Sequence, residues 1–165
     1  MRVRLGEDDT LHHPDPTRAA EALAALIRAC RRRLWLRVPQ LDALSNDGDV
    51  LDALKSLALS SPRADLRVLF DDAGHAVKTG HGLIHLGRRL PSRLQLRQTQ
   101  ADDADPRLCF AVADRTGLFE AHGWPRPERL TLCAHALPLG PRRADEFAHV
   151  WERGRANREL RELRL

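Results

Sequence analysis

The chain of 165 residues has no tyrosine, three tryptophans and four phenylalanines. So thin an aromatic supply leaves little for the stacking platforms on which binders of single-stranded nucleic acid depend. Lysine is nearly missing too: Lys55 and Lys78 stand alone, so almost all the positive charge is arginine. Cysteine is sparse and odd in number, with Cys30, Cys109 and Cys133 far apart. That spacing argues against a disulfide framework and for a reducing compartment, the cytoplasm. Arginine interrupts every apolar stretch before it reaches bilayer-spanning length, so no membrane partner is expected. The opening MRVRLGEDDT lacks the apolar centre of a secretory signal.

What is present describes an ordinary globule. The hydrophobic share of 42% over this length can build one core without disulfides. The formal net charge is +4 and the isoelectric point is near 9.6. Guanidinium forks suit phosphate, yet the 23 acidic residues nearly match the 27 basic ones and are interspersed with them. A solvated surface is therefore the simpler reading of the arginines, with nucleic acid as an alternative partner.

Three helix–strand units come first. Asp15-Pro16 is a helix start, followed by Ala20, Leu23, Ala24 and Ile27 at helical spacing to about Arg32. Arg31-Arg32-Arg33 would then oppose the dipole at the carboxyl end of that helix. Leu34 to Val38 reads as a strand stopped by Pro39, and Ser45 to Gly48 caps a second helix with Val50, Leu51, Leu54, Leu57 and Ala58 on one face. Leu66 to Phe70 is a second strand. A third helix is expected over about 75–90, its start shifting toward Gly82 if the glycines weaken it. Arg93 to Arg97 is a third strand.

The second half changes style. In Pro106 to Gly117, Leu108, Phe110 and Val112 alternate with Cys109, Ala111 and Ala113, as in a strand buried on both faces. This strand delivers Asp114 into a turn at Thr116-Gly117, across which Leu118 to Ala121 forms a hairpin partner. A last strand spans Leu130 to Ala134, a helix from Pro141 turns Phe147 and Trp151 inward, and a helical tail is expected over 155–165. The fold class is α/β: a mixed sheet, parallel first and hairpin-built later, flanked by helices. The expected divisions are an N-terminal segment at 1–16, a domain at 17–155 and a tail at 156–165.

This order, with a buried strand ending in Asp114 after the third unit, resembles one half of the phospholipase D-like fold. The end of the chain, Phe147 to Arg153 followed by Glu159-Leu160-Arg161, is similar to the ends of such modules. The resemblance is closest to an uncharacterised bacterial branch that occurs alone or attached to acyltransferase domains, which makes an acyltransferase or another protein an expected partner. The family signature is His, any residue, Lys, four residues, Asp, in which histidine attacks a phosphodiester and lysine neutralises the phosphate. With Asp114 fixed, Arg107 takes the histidine position and Cys109 the lysine position. A guanidinium stays protonated and cannot act as nucleophile or proton shuttle, and a thiol supplies no cation. The resemblance therefore implies a module without family-type cleavage and without cofactor. It also implies a homodimer with Arg107 of each subunit lining a shared cleft that could hold a phosphate-like anion.

Other constellations offer different chemistry. His81 and His85, at i and i+4, would share a helix face as a metal pair if a third ligand existed. Cys133 and His135 share a strand face, and Cys109 has matching parity, so adjacent strands would form a Cys-Cys-His pocket. A hydrolase using the Cys109 thiol, or a metal on His81 and His85, is the alternative to a binding module. Buried filler cysteines and surface histidines are the blander reading of the same residues.

Overall fold

In a computed structural model, which describes residues 1–73 and 81–156, Asp15 accepts the Thr17 N–H at 2.8 Å and opens a 3-10 turn at Pro16–Arg18. Helix α1, Ala19–Ala29, follows and buries Leu23, Leu26 and Ile27. It stops three residues short of the expected end: Cys30 is already extended, with φ −69 and ψ 139. Arg31 to Arg33 thus lie outside the helix, and the dipole reading of that triplet gives way to another role described below.

Strands β1 (Arg33–Gln40), β2 (Asp65–Asp72) and β3 (Leu94–Gln98) are parallel, while β4 (Leu108–Ala113), β5 (Gly117–His122) and β6 (Arg129–Cys133) add antiparallel neighbours. The six form one sheet in the order β3-β2-β1-β4-β5-β6. Pro39 does not stop β1, which runs on to Gln40, but the pairing of β1 with β4 has ended by Arg37–Phe110. The mixed sheet expected from the alternation of helix and strand, then strand and strand, is the fold observed.

Helices cover both faces unequally. On one face lie α1, α2 (Gly48–Ser60) and α3 (Gly82–Arg89), around Leu54, Leu57, Val68, Phe70 and Ile84. On the other lies α4 (Leu139–Arg153), whose Phe147 stacks between Trp35 and Trp151 at 5.2 and 5.8 Å. Each such ring pair adds about 0.5–1.5 kcal/mol beyond area burial. β4 is buried on both sides as its sequence requires: Cys109, Ala111 and Ala113 face α1–α3, Phe110 and Val112 face α4. Gly140 lets the first turn of α4 press on the β4–β5 turn, where a side chain would sit 2.8 Å from the Arg115 carbonyl.

Two boundaries differ from the sequence reading. α3 begins at Gly82 with His81 as its cap, and the earlier part of the expected helix falls on 74–80, outside the described residues. The expected helical tail is not begun at Arg155, which instead exchanges both backbone hydrogen bonds with Gln98 at 2.8 and 3.0 Å. The rest of that tail, 157–165, lies outside the described residues. No helix among the described residues is long and apolar enough to cross a membrane.

Candidate functional site

The three signature positions fall at two ends of one strand. Arg107 and Cys109 stand at the amino end of β4 and Asp114 just past its carboxyl end. Five residue steps along the strand separate Cys109 from Asp114, about 17 Å at ~3.4 Å per step. They do not converge on one cleft.

Asp114 is occupied by backbone. Its carboxylate accepts the N–H groups of Arg31, Arg32 and Arg33 at 2.7, 3.1 and 2.9 Å, and the Cys30 thiol points at it from 3.6 Å. Asp114 and Arg115 carry φ of 48 and 72, left-handed values that aspartate tolerates better than most residues. The carboxylate therefore ties the crossing from α1 into β1 to the β4–β5 turn. Cys30 donates to the Arg33 carbonyl at 3.1 Å, and burial with the Asp114 charge nearby pushes its thiol pKa up to about 12.

Cys109 is sealed. Its exposure is 0%, and burial, with the Asp42 and Glu120 charges adding, pushes the thiol pKa far above its ordinary value. A thiolate nucleophile is disfavoured in such surroundings. Arg107 is exposed; its N–H donates to Asp105 at 3.0 Å and its carbonyl accepts from Trp124 at 3.3 Å. Its guanidinium lies across Gly123, where a Cβ would come within 3.1 Å of it and where φ is +86.

Beside Cys109, the carboxyl end of β1 runs into a compact polar knot. The Trp124 indole donates to Asp42 at 3.0 Å while its ring packs against the α1–α3 core. The Ser45 hydroxyl meets His81 Nε2 at 3.0 Å, His81 Nδ1 accepts the Leu83 N–H at 3.0 Å, and Asn46 accepts the Gly82 N–H at 2.8 Å. Burial holds the His81 pKa below its ordinary value. Both ring nitrogens of His81 are thus engaged, Nδ1 in starting α3 and Nε2 with Ser45, whereas His85 is exposed one turn on. The described residues contain no group of three His, Cys, Asp or Glu side chains able to hold a metal ion.

The Cys-Cys-His pocket is not assembled. β5 lies between β4 and β6, and Cys109 faces α1–α3 while Cys133 faces α4. His135 follows β6, with its Nδ1 buried and lacking a hydrogen-bond partner among the described residues.

A cluster the sequence reading missed lies on the α4 face. Glu120 is buried and accepts from Arg143 at 2.8 Å, while Arg143 also donates to Glu146 at 2.9 Å. His122 Nε2 lies 2.9 Å from the Thr131 hydroxyl and 3.7 Å from Glu120. Both partners meet the same ring nitrogen. A hydroxyl-activating relay needs the carboxylate on one nitrogen and the hydroxyl on the other, so this cluster is not one. Its signal was available: Glu120 and His122 alternate inside an otherwise apolar strand. Nearby, Arg37 bonds the Asp103 carbonyl, Asp71 accepts from the Thr99 hydroxyl at 2.7 Å and the Asp105 N–H at 2.9 Å, and Arg153 grips Asp103. These contacts clamp the β3–β4 loop that leads to Arg107.

A family model described as Domain of unknown function (DUF7931) matches residues 15–163. The chain belongs to that family. No curated protein matches the sequence. Among solved structures, this DUF7931 chain is similar to Nuc from Salmonella typhimurium, a phospholipase D family member, at 14% identity and TM-score 0.62, covering 88% of this chain and 95% of that one. NucT from Helicobacter pylori matches at 12% identity and TM-score 0.64, covering 90% and 98%. TrmBL2, described as an archaeal chromatin protein with a novel mode of DNA binding, matches at 12% and TM-score 0.63, covering 90% of this chain but 55% of that one. At such identities the likeness is one of fold: the DUF7931 chain has a phospholipase D-like fold.

Proposed function

We propose that this chain is a cytoplasmic phospholipase D-like module that has given up phosphodiester cleavage and acts as a binding or regulatory unit. One observation carries the reading: an exposed guanidinium and a core-sealed thiol, Arg107 and Cys109, occupy the positions where the family signature has histidine and lysine. The guanidinium stays protonated and can neither attack phosphorus nor shuttle a proton, and the Cys109 thiol, sealed in the core with its pKa raised by burial, is withheld from attack as a thiolate. What Arg107 retains is the ability to bind a phosphate-like anion through paired N–H donors. In the proposed assembly two chains pair and bring both Arg107 side chains to one cleft.

Two measurements on the purified chain test this. Light scattering should give the mass of a dimer. Thermal unfolding with inorganic phosphate should show stabilisation that grows with concentration and vanishes in Arg107→Gln. A monomer whose melting is indifferent to phosphate would leave the reading without support.

A further inference from the structure

Acidic and basic residues are interspersed along the sequence, but the fold gathers one group of arginines at one end of the sheet. Arg31, Arg32, Arg33, Arg63, Arg67 and Arg115 gather around the amino ends of β1 and β2 and the β4–β5 turn. Asp42, Asp71, Asp103 and Asp105 lie toward the carboxyl ends of β1 and β2 and in the β3–β4 loop.

The arginine end is a built surface. Asp114 fixes the backbone of Arg31 to Arg33 through their N–H groups, so this carboxylate is spent on backbone donors and not on a guanidinium. Arg33 and Arg67 lie over the Trp35 ring at 4.9 and 5.1 Å, and Arg67 also over Trp151 at 5.4 Å, which holds both side chains in place. Counter-charge is scarce. Asp65 is shared between Arg33 and Arg67 at 3.6 and 2.9 Å, and Asp145 faces Arg115 at 3.4 Å. Arg31, Arg32 and Arg63 are exposed and have no carboxylate partner among the described residues.

We propose that this end of the sheet binds the phosphate backbone of duplex nucleic acid, without reading sequence. Guanidinium forks match phosphate oxygens, and ordering arginines in advance reduces the entropy lost on binding. The indoles beneath them are buried, so no ring is offered to an unstacked base, which sets single strands aside. A lipid surface fits less well. Among the described residues, the exposed leucines at this end are Leu59, on α2, and Leu137, in the β6–α4 connection, too little apolar surface for insertion. The surface is separate from Arg107, at the other end of the sheet, so the two proposals stand or fall apart.

The test is binding of a labelled, mixed-sequence DNA duplex of about 20 base pairs across a salt series. The logarithm of affinity should fall linearly with the logarithm of salt, with a slope of about −3 to −5. The triple variant R31A/R32A/R63A, checked for native circular dichroism, should flatten the slope by about 2.7 and weaken binding at least tenfold at low salt. Arg126→Gln, an exposed arginine in the β5–β6 loop at the opposite end of the sheet, should change neither. Absent or salt-independent binding, a triple variant with the parent slope, or capture by anionic phospholipid vesicles without duplex binding would overturn the proposal.

Discussion

Replacing Asp114 with alanine removes a carboxylate that the signature would assign to chemistry and the fold uses as a clasp. Three backbone N–H groups converge on it at 2.7 to 3.1 Å. A hydrogen bond to a charged acceptor contributes about 1.5–3 kcal/mol net when buried. Arg31 and Arg32 are exposed and their N–H groups would be recovered by water, so only part of three such bonds is lost. Alanine is also strained at the φ of 48 that Asp114 adopts, adding about 1 kcal/mol. The total is about 3 kcal/mol, or a fall in melting temperature of roughly 6–12 °C for a domain of this size. Asp114→Asn keeps an acceptor and tolerates the backbone, so it should cost about half as much. Urea unfolding of both variants measures this directly. An alanine variant within about 0.5 kcal/mol of the parent, the range of a neutral surface change, would refute the clasp.

Cys109→Lys, the change that nominally restores the signature cation, should destabilise the chain by at least about 3 kcal/mol, because an ammonium would enter a fully buried apolar site; a soluble variant with parental urea midpoint would contradict the burial. Trp124→Phe keeps the ring but loses the bond to Asp42, and should cost about 1 kcal/mol in the same assay. Burial lowers the His81 and His122 pKa values below the ordinary 6.5. The unfolded chain then binds more protons between 6.5 and the folded-state values, so stability rises with pH through that window and is lost on acidification below about 6.5. His81→Asn, which retains a good helix cap, should shrink the difference in urea midpoint between about pH 7.5 and 5.5; an unchanged difference would remove His81 from the account.

The order of elements was legible because each carried local physics. Asp15 caps the 3-10 turn that leads into α1, Asp47 of the Ser45–Gly48 stretch caps α2, and the alternation from Leu108 to Ala113 required a strand with two buried faces. The site was less legible because its geometry depends on which strands are neighbours. Parity put Cys109 and Cys133 on a common face only if β4 and β6 touched, and β5 intervenes. Histidine spacing suggested a shared helix face for His81 and His85, but His81 was spent on the cap one residue before the helix began. Arg31 to Arg33 looked like a helix ending, and only the long-range contact with Asp114 reveals why the chain leaves the helix early. The gathering of Arg31 to Arg33, Arg63, Arg67 and Arg115 at one end of the sheet is likewise set by strand pairing and is invisible to counting along the chain.

The central claim is that Arg107 and Cys109 cannot perform the family's chemistry, and the most direct measurement is turnover of an activated phosphodiester by the pure, chelator-treated chain. The account predicts release no faster than in buffer at any pH where the protein is folded. Turnover that follows the protein through purification and disappears when it unfolds would contradict it.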